Sequence, residues 1–341
     1  MIKIKKKTIK EIKRILKKSY NIAILTHINP DGDSIGSSTA LYQVLKKQNF
    51  NVNNLVPNEI PEFLQWLPSY DKIVYSNKNP NDFIEIINNS DVIFCLDFND
   101  FGRVKEIGEI IQNSKATKIL IDHHPFPANY FDIIISMIDV SSTSELIFHF
   151  IKSIGWKKYI DKDIAKSIYT GIMTDTGCFA YNASYPHTYY VVAELLKYNI
   201  DREIIYSNVY DNFSANRMRL LGHTLYRNLR VFPQYRTAIL FVTKEEQKVF
   251  NFQPGDTEGF VNFPLSIKNI IFSVLFTEKD NHIRLSLRSK GNFAVNEFAE
   301  KHFNGGGHFN AAGGESYLSM EETLKKFESL LPEYKNILEN A

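Results

Sequence analysis

Two cysteines in 341 residues leave no material for a secreted disulfide framework. Cys95 falls inside an apolar run predicted to be a buried strand and Cys178 beside an acidic motif, so both are expected to be reduced and structural. No uninterrupted apolar stretch approaches the roughly 18 residues that a membrane span needs. The basic opening Ile2-Lys3-Ile4-Lys5-Lys6-Lys7 lacks the apolar block and small-residue cleavage site of a secretory signal. A cytoplasmic protein with no membrane partner is the expectation. Charge of one sign is scarce as well: 40 Lys and Arg oppose 38 Asp and Glu, for a net charge of +2. That balance leaves no global excess for wrapping a long polyanion by counterion release, so any nucleic-acid substrate should be short or locally held. Internal repeats and low-complexity segments are missing too.

What remains is an ordinary globular composition, 44% hydrophobic and 23% charged, at a length that suits two domains. Through the basic run from Lys3 to Lys18, Ile9, Ile12, Ile15 and Leu16 recur at helical spacing. This reads as an amphipathic surface helix turning lysines to water, with RNA contact as the alternative. From residue 21 to about 198, short β-rich runs alternate with amphipathic helices. Strands are predicted at 22–26, 52–56, 72–75, 92–97, 118–122 and 133–138, and helices near 37–48, 81–88 and 144–153. Near-continuous apolar strands separated by helices indicate an α/β fold with a parallel sheet covered on both faces. The second half reads as a smaller mixed α/β domain, with strands at 236–243, 270–277 and 282–289, the interruption Gly305-Gly306-Gly307, and a helix over about 319–331. Polar residues 198–216 show no sustained period. The domain reading is therefore 1–198, a linker at 199–216, and 217–341.

Three of the strand-like runs end in residue types that bind metals. Ile22-Ala23-Ile24-Leu25 leads to His27, Asp31 and Asp33; Val92 to Leu96 leads to Asp97; and Lys118-Ile119-Leu120-Ile121 leads to Asp122-His123-His124. In an open parallel sheet the carboxyl ends of the strands gather along one crevice, so these groups would meet. So many acids resist ionising together unless a divalent cation reverses the local electrostatics. A metal-dependent hydrolase is the leading reading, and imidazole with carboxylate suits Mn2+ or a related ion better than a thiolate-seeking one. Taken singly, most of these residues have plainer uses. Asp31 and Asp33 also suit a turn and cap before a helix starting at about Ser34, Asp97 suits an N-cap or loop, and Asp175 in Gly171-Ile172-Met173-Thr174-Asp175-Thr176-Gly177 suits a helix C-terminal turn. The run 122–124 is the one that packing explains least.

In the second half, Gly305-Gly306-Gly307-His308 permits close backbone approach to an anion, although most triple glycines are merely flexible loops. Arg284 and Arg288 alternate along Arg284-Leu285-Ser286-Leu287-Arg288, so they share a strand face and can fork onto phosphate oxygens. Arg103, shortly after Asp97, reads as a basic substrate contact or a surface ion pair. His149, His187, His223 and His302 read as structural, and His282 as a turn residue. Phe260, Phe263 and Phe272 read as core rather than as base-stacking surfaces.

Together the motifs around His27, Asp97, Asp122-His123-His124 and Asp175 resemble those of the DHH phosphoesterase superfamily, in order and at fitting separations. Joined with Gly305-Gly306-Gly307-His308-Phe309-Asn310-Ala311-Ala312-Gly313-Gly314, the chain is similar to the DHH/DHHA1 subfamily. That subfamily includes small bacterial enzymes combining oligoribonuclease (nanoRNase) and 3'-phosphoadenosine 5'-phosphate phosphatase activities. The resemblance implies a parallel-sheet DHH domain, a smaller DHHA1 domain, and an active site in the cleft between them. It implies two Mn2+ ions, with Mg2+ or Co2+ as substitutes, held by His27 and Asp31 on one side and Asp33, His123 and Asp175 on the other, with Asp97 bridging. It gives His124 a catalytic contact with the scissile phosphate, supported by Asp122. Arg288, Gly306, Gly307 and His308, with Arg284 and Arg103, become substrate-binding residues. Expected substrates are short RNA oligonucleotides and 3'-phosphoadenosine 5'-phosphate. Linear or cyclic dinucleotides and an inactive nucleotide-binding regulator are the alternatives, and a homodimer is left open.

Overall fold

The computed structural model describes residues 2–341, apart from the side chain of residue 308. The chain divides into two units, with the boundary between Asn212 and Phe213.

In the first unit, α1 (Lys6–Leu16) leads into β1 (Asn21–Leu25), α2 (Gly32–Lys47), β2 (Asn51–Val56), β3 (Ile73–Tyr75) and α3 (Pro80–Asn89). Then come β4 (Val92–Leu96), α4 (Ile107–Asn113), β5 (Thr117–Asp122), β6 (Ile133–Ser136), α5 (Thr143–Ser153), α6 (Lys162–Asp175), α7 (Pro186–Leu196) and α8 (Arg202–Tyr210). All six strands are parallel, in the order β3-β2-β1-β4-β5-β6. Strand alternation sorts the core. Ile22, Ile24, Phe94, Ile119 and Ile121 face α1, α2, α5 and α6, whereas Ala23, Leu25, Ile93, Cys95 and Leu120 face α3 and α4. The order reverses between β1 and β4, and such a switch point opens a crevice at the carboxyl ends of the strands.

The second unit contains α9 (Ala215–Arg227), β7 (Arg230–Phe232), β8 (Thr237–Val242), α10 (Lys244–Val249), β9 (Phe272–Glu278), β10 (Ile283–Ser289), α11 (Val295–His302), β11 (Gly306–His308), β12 (Ala311–Ser316) and α12 (Met320–Asn340). Its mixed sheet runs β11-β12-β10-β9-β8-β7, with only β8 and β9 parallel. Phe272, Phe276, Phe298 and Phe327 are buried in its core.

Several local readings change. The stretch 198–216 is not featureless: α8 forms there because Ile205 and Val209, four residues apart, bury one face in the first unit's core. The C-terminal helix runs on past Pro332 to Asn340, held by buried Leu331 and Leu338 and by Tyr334 against Phe298 at 5.0 Å between ring centroids. Gly306 to His308 form an edge strand paired with Ala311 to Gly313 rather than an open loop. Cys95 is buried as expected, but Cys178 is exposed, because residues 177–179 turn out of α6 through three successive positive φ angles. Phe260 and Phe272 are core, while Phe263 is exposed. Among the described residues no helix is long and apolar enough to cross a membrane.

Candidate metal centre

The crevice at the β1/β4 switch point collects the acids and histidines of the first unit. β1 leads to His27, β4 ends at Leu96 with Asp97 next, and β5 ends at Asp122 with His123 and His124 next. Asp31 is the N-cap of α2: its Oδ1 accepts from the backbone N–H of Asp33 and Ser34 at 3.1 and 3.0 Å. The capping use and the site use coexist in one carboxylate, because Oδ2 of Asp31 faces Nε2 of His27 at 3.8 Å. Asp33 sits in the first turn of α2 and Asp175 is the last residue of α6. These ends meet because the two helices approach closely: a Cβ added at Gly36 would stand 2.5 Å from the Ser167 carbonyl oxygen.

Asp97 lies between two groups of donors. Its Oδ2 is 3.5 Å from Nε2 of His27, and its Oδ1 is 3.7 Å from Nε2 of His123. The same His123 nitrogen lies 3.5 Å from Asp175 Oδ2 and 3.9 Å from Asp33 Oδ2. Ligands about 2.1 Å from a common ion stand roughly 3.0–3.5 Å apart, so the spacing leaves room for cations and is too wide for good hydrogen bonds. His27 carries the sharpest evidence. Its Nδ1 lies 2.8 Å from its neighbour's carbonyl oxygen on Ile28, which fixes the proton there and leaves the Nε2 lone pair facing two carboxylates. That Nε2 is buried and has no hydrogen-bond partner. A lone pair opposed to anions is unfavourable until a cation separates them, so these residues fit a divalent ion.

The electrostatics agree. Burial, then the Asp97 and Asp175 carboxylates, push Asp33 well above the usual carboxylate range. Burial also opposes charge on Asp97, but His27, His124 and His123 outweigh it and hold its carboxyl below the usual range. For His27, burial is outweighed by Asp97 and Asp31, which raise its pKa.

Residues that the sequence reading passed over hold this arrangement. The N-terminus of α5 points at the site: the Thr143 and Ser144 N–H groups donate to the two oxygens of Asp33 at 2.6 and 2.8 Å, and the Thr143 hydroxyl donates to Asp97 Oδ1 at 2.8 Å. The run Ser141-Ser142-Thr143-Ser144-Glu145 carried that signal, since hydroxyl residues ahead of an acid mark a helix start. Asp97 itself sits at φ +66°, a left-handed conformation rare outside glycine that turns its carboxylate out of the strand direction.

His124 is held from both sides, with Nδ1 2.7 Å from Asp122 Oδ1 and Nε2 3.0 Å from a guanidinium nitrogen of Arg103. Because guanidinium can only donate, Nε2 accepts and Nδ1–H donates to Asp122. Arg103 is placed by its loop, where its carbonyl accepts from Ile28 N–H at 3.0 Å and Asp100 caps Gly102 N–H at 2.6 Å. The first unit thus brings together His27, Asp31, Asp33, Asp97, Arg103, Asp122, His123, His124 and Asp175. Arg284, Arg288, Gly306, Gly307 and His308 belong to the second unit. There Arg284 and Arg288 share the less buried face of β10, and the register sets His308 opposite Ala311, which in turn is opposite Arg288. Gly307 adopts φ +144°, and a Cβ there would meet the Ala311 carbonyl oxygen at 2.6 Å, so β11 needs glycine at this point.

Residues 21–172 match the DHH family, N-terminal domain, and residues 238–339 match the DHHA1 domain. The chain carries a DHH domain followed by a DHHA1 domain. Its DHH segment runs from β1 into α6 and its DHHA1 segment from β8 to α12. This DHH protein is 29% identical over 323 residues to the probable bifunctional oligoribonuclease and PAP phosphatase NrnA of Streptococcus mutans, covering 94% of this chain and 96% of the relative. The bifunctional oligoribonuclease and PAP phosphatase NrnA of Bacillus subtilis is also 29% identical, over 93% of this chain and 96% of its own. An exopolyphosphatase-related protein from Bacteroides fragilis has a crystal structure that superposes with a TM-score of 0.96 at 43% identity, covering 99% of this chain and 100% of that one.

Proposed function

We propose that this protein is a manganese-dependent phosphoesterase that hydrolyses short oligoribonucleotides to mononucleotides and removes the 3'-phosphate of 3'-phosphoadenosine 5'-phosphate to give AMP. The observation that carries the reading is Asp97, which turns one carboxylate oxygen to His27 and the other to His123. Near full-length similarity to two NrnA proteins supplies the substrate class. On this reading His27, Asp31 and Asp97 would hold one divalent ion, and Asp33, His123 and Asp175 would hold a second with Asp97 shared. An oxygen and imidazole donor set without thiolate favours Mn2+, with Mg2+ and Co2+ as substitutes. When bound, two such ions supply Lewis acidity and a nucleophilic water of lowered pKa at the phosphorus.

The side chains do the remainder. Thr143 and Ser144 keep Asp33 and Asp97 aimed, so that their carboxylates need not reorganise during turnover. His124, fixed in one tautomer by Asp122, accepts from Arg103 through Nε2 and so holds the guanidinium, whose remaining N–H donors can meet a phosphate oxygen. Arg284, Arg288, Gly306, Gly307 and His308 are assigned to the phosphate or base at the other end of the substrate. The unit that ends at Asn212 would form the catalytic domain and the unit that starts at Phe213 the substrate-binding domain, in a cytoplasmic protein. The test is chain-length dependence: turnover on di-, tri- and pentaribonucleotides against a long RNA, with 3'-phosphoadenosine 5'-phosphate in parallel. Mononucleotide release from the short substrates and AMP from the bisphosphate are expected; equal rates on long and short RNA would remove the short-substrate reading.

A further inference from the structure

Outside this centre the first unit holds another group of donors. α5 carries Glu145 and His149 four residues apart, hence on one face, and α7 brings His187 to them from its first turn. Glu145 Oε1 lies 2.6 Å from Nδ1 of His187 and 3.4 Å from Nε2 of His149, and the donor atoms of all three residues lie within 4.8 Å of one another. We propose that Glu145, His149 and His187 form a second metal centre that takes a single Zn2+-like ion.

Three observations support the assignment. His149 is 2% exposed and its Nε2 has no hydrogen-bond partner, although it is directed at the Glu145 carboxylate. A buried polar atom left unpaired is unfavourable, and an ion at Nε2 would satisfy it while replacing the hydrogen bond that Oε1 accepts from His187 Nδ1 at 2.6 Å. Next, Glu145 Oε2 is already taken up by the Ser141 N–H at 3.1 Å, the Ser141 hydroxyl at 2.6 Å and the Thr188 hydroxyl at 2.8 Å. Those three donors fix the carboxylate so that Oε1 alone faces the imidazoles, as outer hydrogen bonds do for metal-binding carboxylates. Finally, Tyr185 stacks on His187 at 5.2 Å and 10° between ring planes, which sets that ring, and His187 is the member open to solvent.

The donor set selects the ion. Two imidazoles and one carboxylate with an open fourth position suit zinc. The pocket that His149 lines also carries Lys3, Lys6, Lys10, Lys13 and Lys152. That neighbouring charge opposes any divalent cation alike, so the choice of ion falls to the two imidazoles, which favour Zn2+ over Mg2+ or Ca2+. The centre would tie α5 to α7, and α5 is the helix whose N-terminus aims Asp33 and Asp97. The inference rests on the geometry of this cluster and does not depend on the activity proposed above.

The competing arrangement is a metal-free triad in which both imidazoles donate to Glu145. The experiment uses the full-length chain with Asp33→Asn and Asp97→Asn, stripped with chelator, equilibrated with Zn2+ alone, desalted, and assayed for zinc by mass spectrometry. One zinc per chain is expected, lost when His187→Ala or His149→Gln is added. No retained zinc, or the same zinc with His187→Ala, overturns the proposal. A second measurement avoids reliance on the acidic double variant. With the other centre intact, His187→Ala alone should lower zinc content by one equivalent and abolish the visible absorption of a four-coordinate Co2+ substitute. An unchanged content and spectrum would contradict the assignment.

Discussion

Asp122 and His124 form a buried pair in which Oδ1 accepts from Nδ1–H at 2.7 Å. The carboxylate fixes the ring's tautomer and leaves Nε2 directed to Arg103, 3.0 Å away. Asp122→Asn keeps the shape but removes the charge that favours this tautomer. Outer-shell substitutions of this kind cost about 10–100-fold, so kcat on a dinucleotide should fall by that factor with KM changed far less. A loss confined to KM would assign the pair to substrate binding alone.

Thr143 should matter without touching substrate. Its hydroxyl donates to Asp97 Oδ1 at 2.8 Å while its N–H donates to Asp33. Thr143→Val removes the first contact and keeps the second. Mn2+ affinity measured by equilibrium dialysis should weaken about 10–100-fold, and Thr143→Ser should restore most of it. Equal affinities in all three proteins would make the hydroxyl incidental.

The close crossing of α2 and α6 can be tested through stability. In Gly36→Ala the new methyl would meet the Ser167 carbonyl oxygen at 2.5 Å and the Gly171 nitrogen at 2.9 Å, both backbone atoms that cannot step aside. Overpacking of this kind costs about 1–3 kcal/mol, read as a lower denaturant midpoint with an unchanged slope. Because Asp33 and Asp175 are carried on these helices, Mn2+ affinity should fall as well.

Acid sensitivity follows from Glu145. Burial opposes its charge, but the nearby His149 imidazole and the hydrogen bonds from Ser141, His187 and Thr188 outweigh that and hold its pKa at about 2, against 4.5 ordinarily. A depressed folded-state pKa means that the unfolded chain binds the proton first, so the stabilisation is complete above pH 4.5 and is lost as pH falls toward about 2. Denaturant unfolding of chelated protein should show the intact chain losing more stability than Glu145→Gln across that window. Parallel curves would mean that Glu145 is not held below its ordinary value.

Much of the fold could be read from the chain because its signals are local. The apolar strands 22–26, 92–97 and 118–122 announce themselves as runs, and a parallel sheet places their ends together. What stayed hidden depends on tertiary contact or backbone conformation. The left-handed turn at Asp97, the hold of Thr143 and Ser144 on its neighbours, and the crossing at Gly36 leave no periodic trace in sequence. α8 was missed because only Ile205 and Val209 mark its buried face, and the extension of α12 was missed because Pro332 ordinarily ends a helix. His149 and His187 looked unrelated, being 38 residues apart, until α5 and α7 packed together.

In the proposed function Asp97 joins two groups of ligands into one hydrolytic centre. The most direct measurement compares chelated protein, the same protein with Mn2+ restored, and Asp97→Ala with Mn2+, each given a diribonucleotide and 3'-phosphoadenosine 5'-phosphate, with products resolved by chromatography. Mononucleotides from the first substrate and AMP from the second are expected only in the restored protein, with Asp97→Ala at least about 100-fold slower. Full turnover in chelated protein, or in Asp97→Ala, would contradict it.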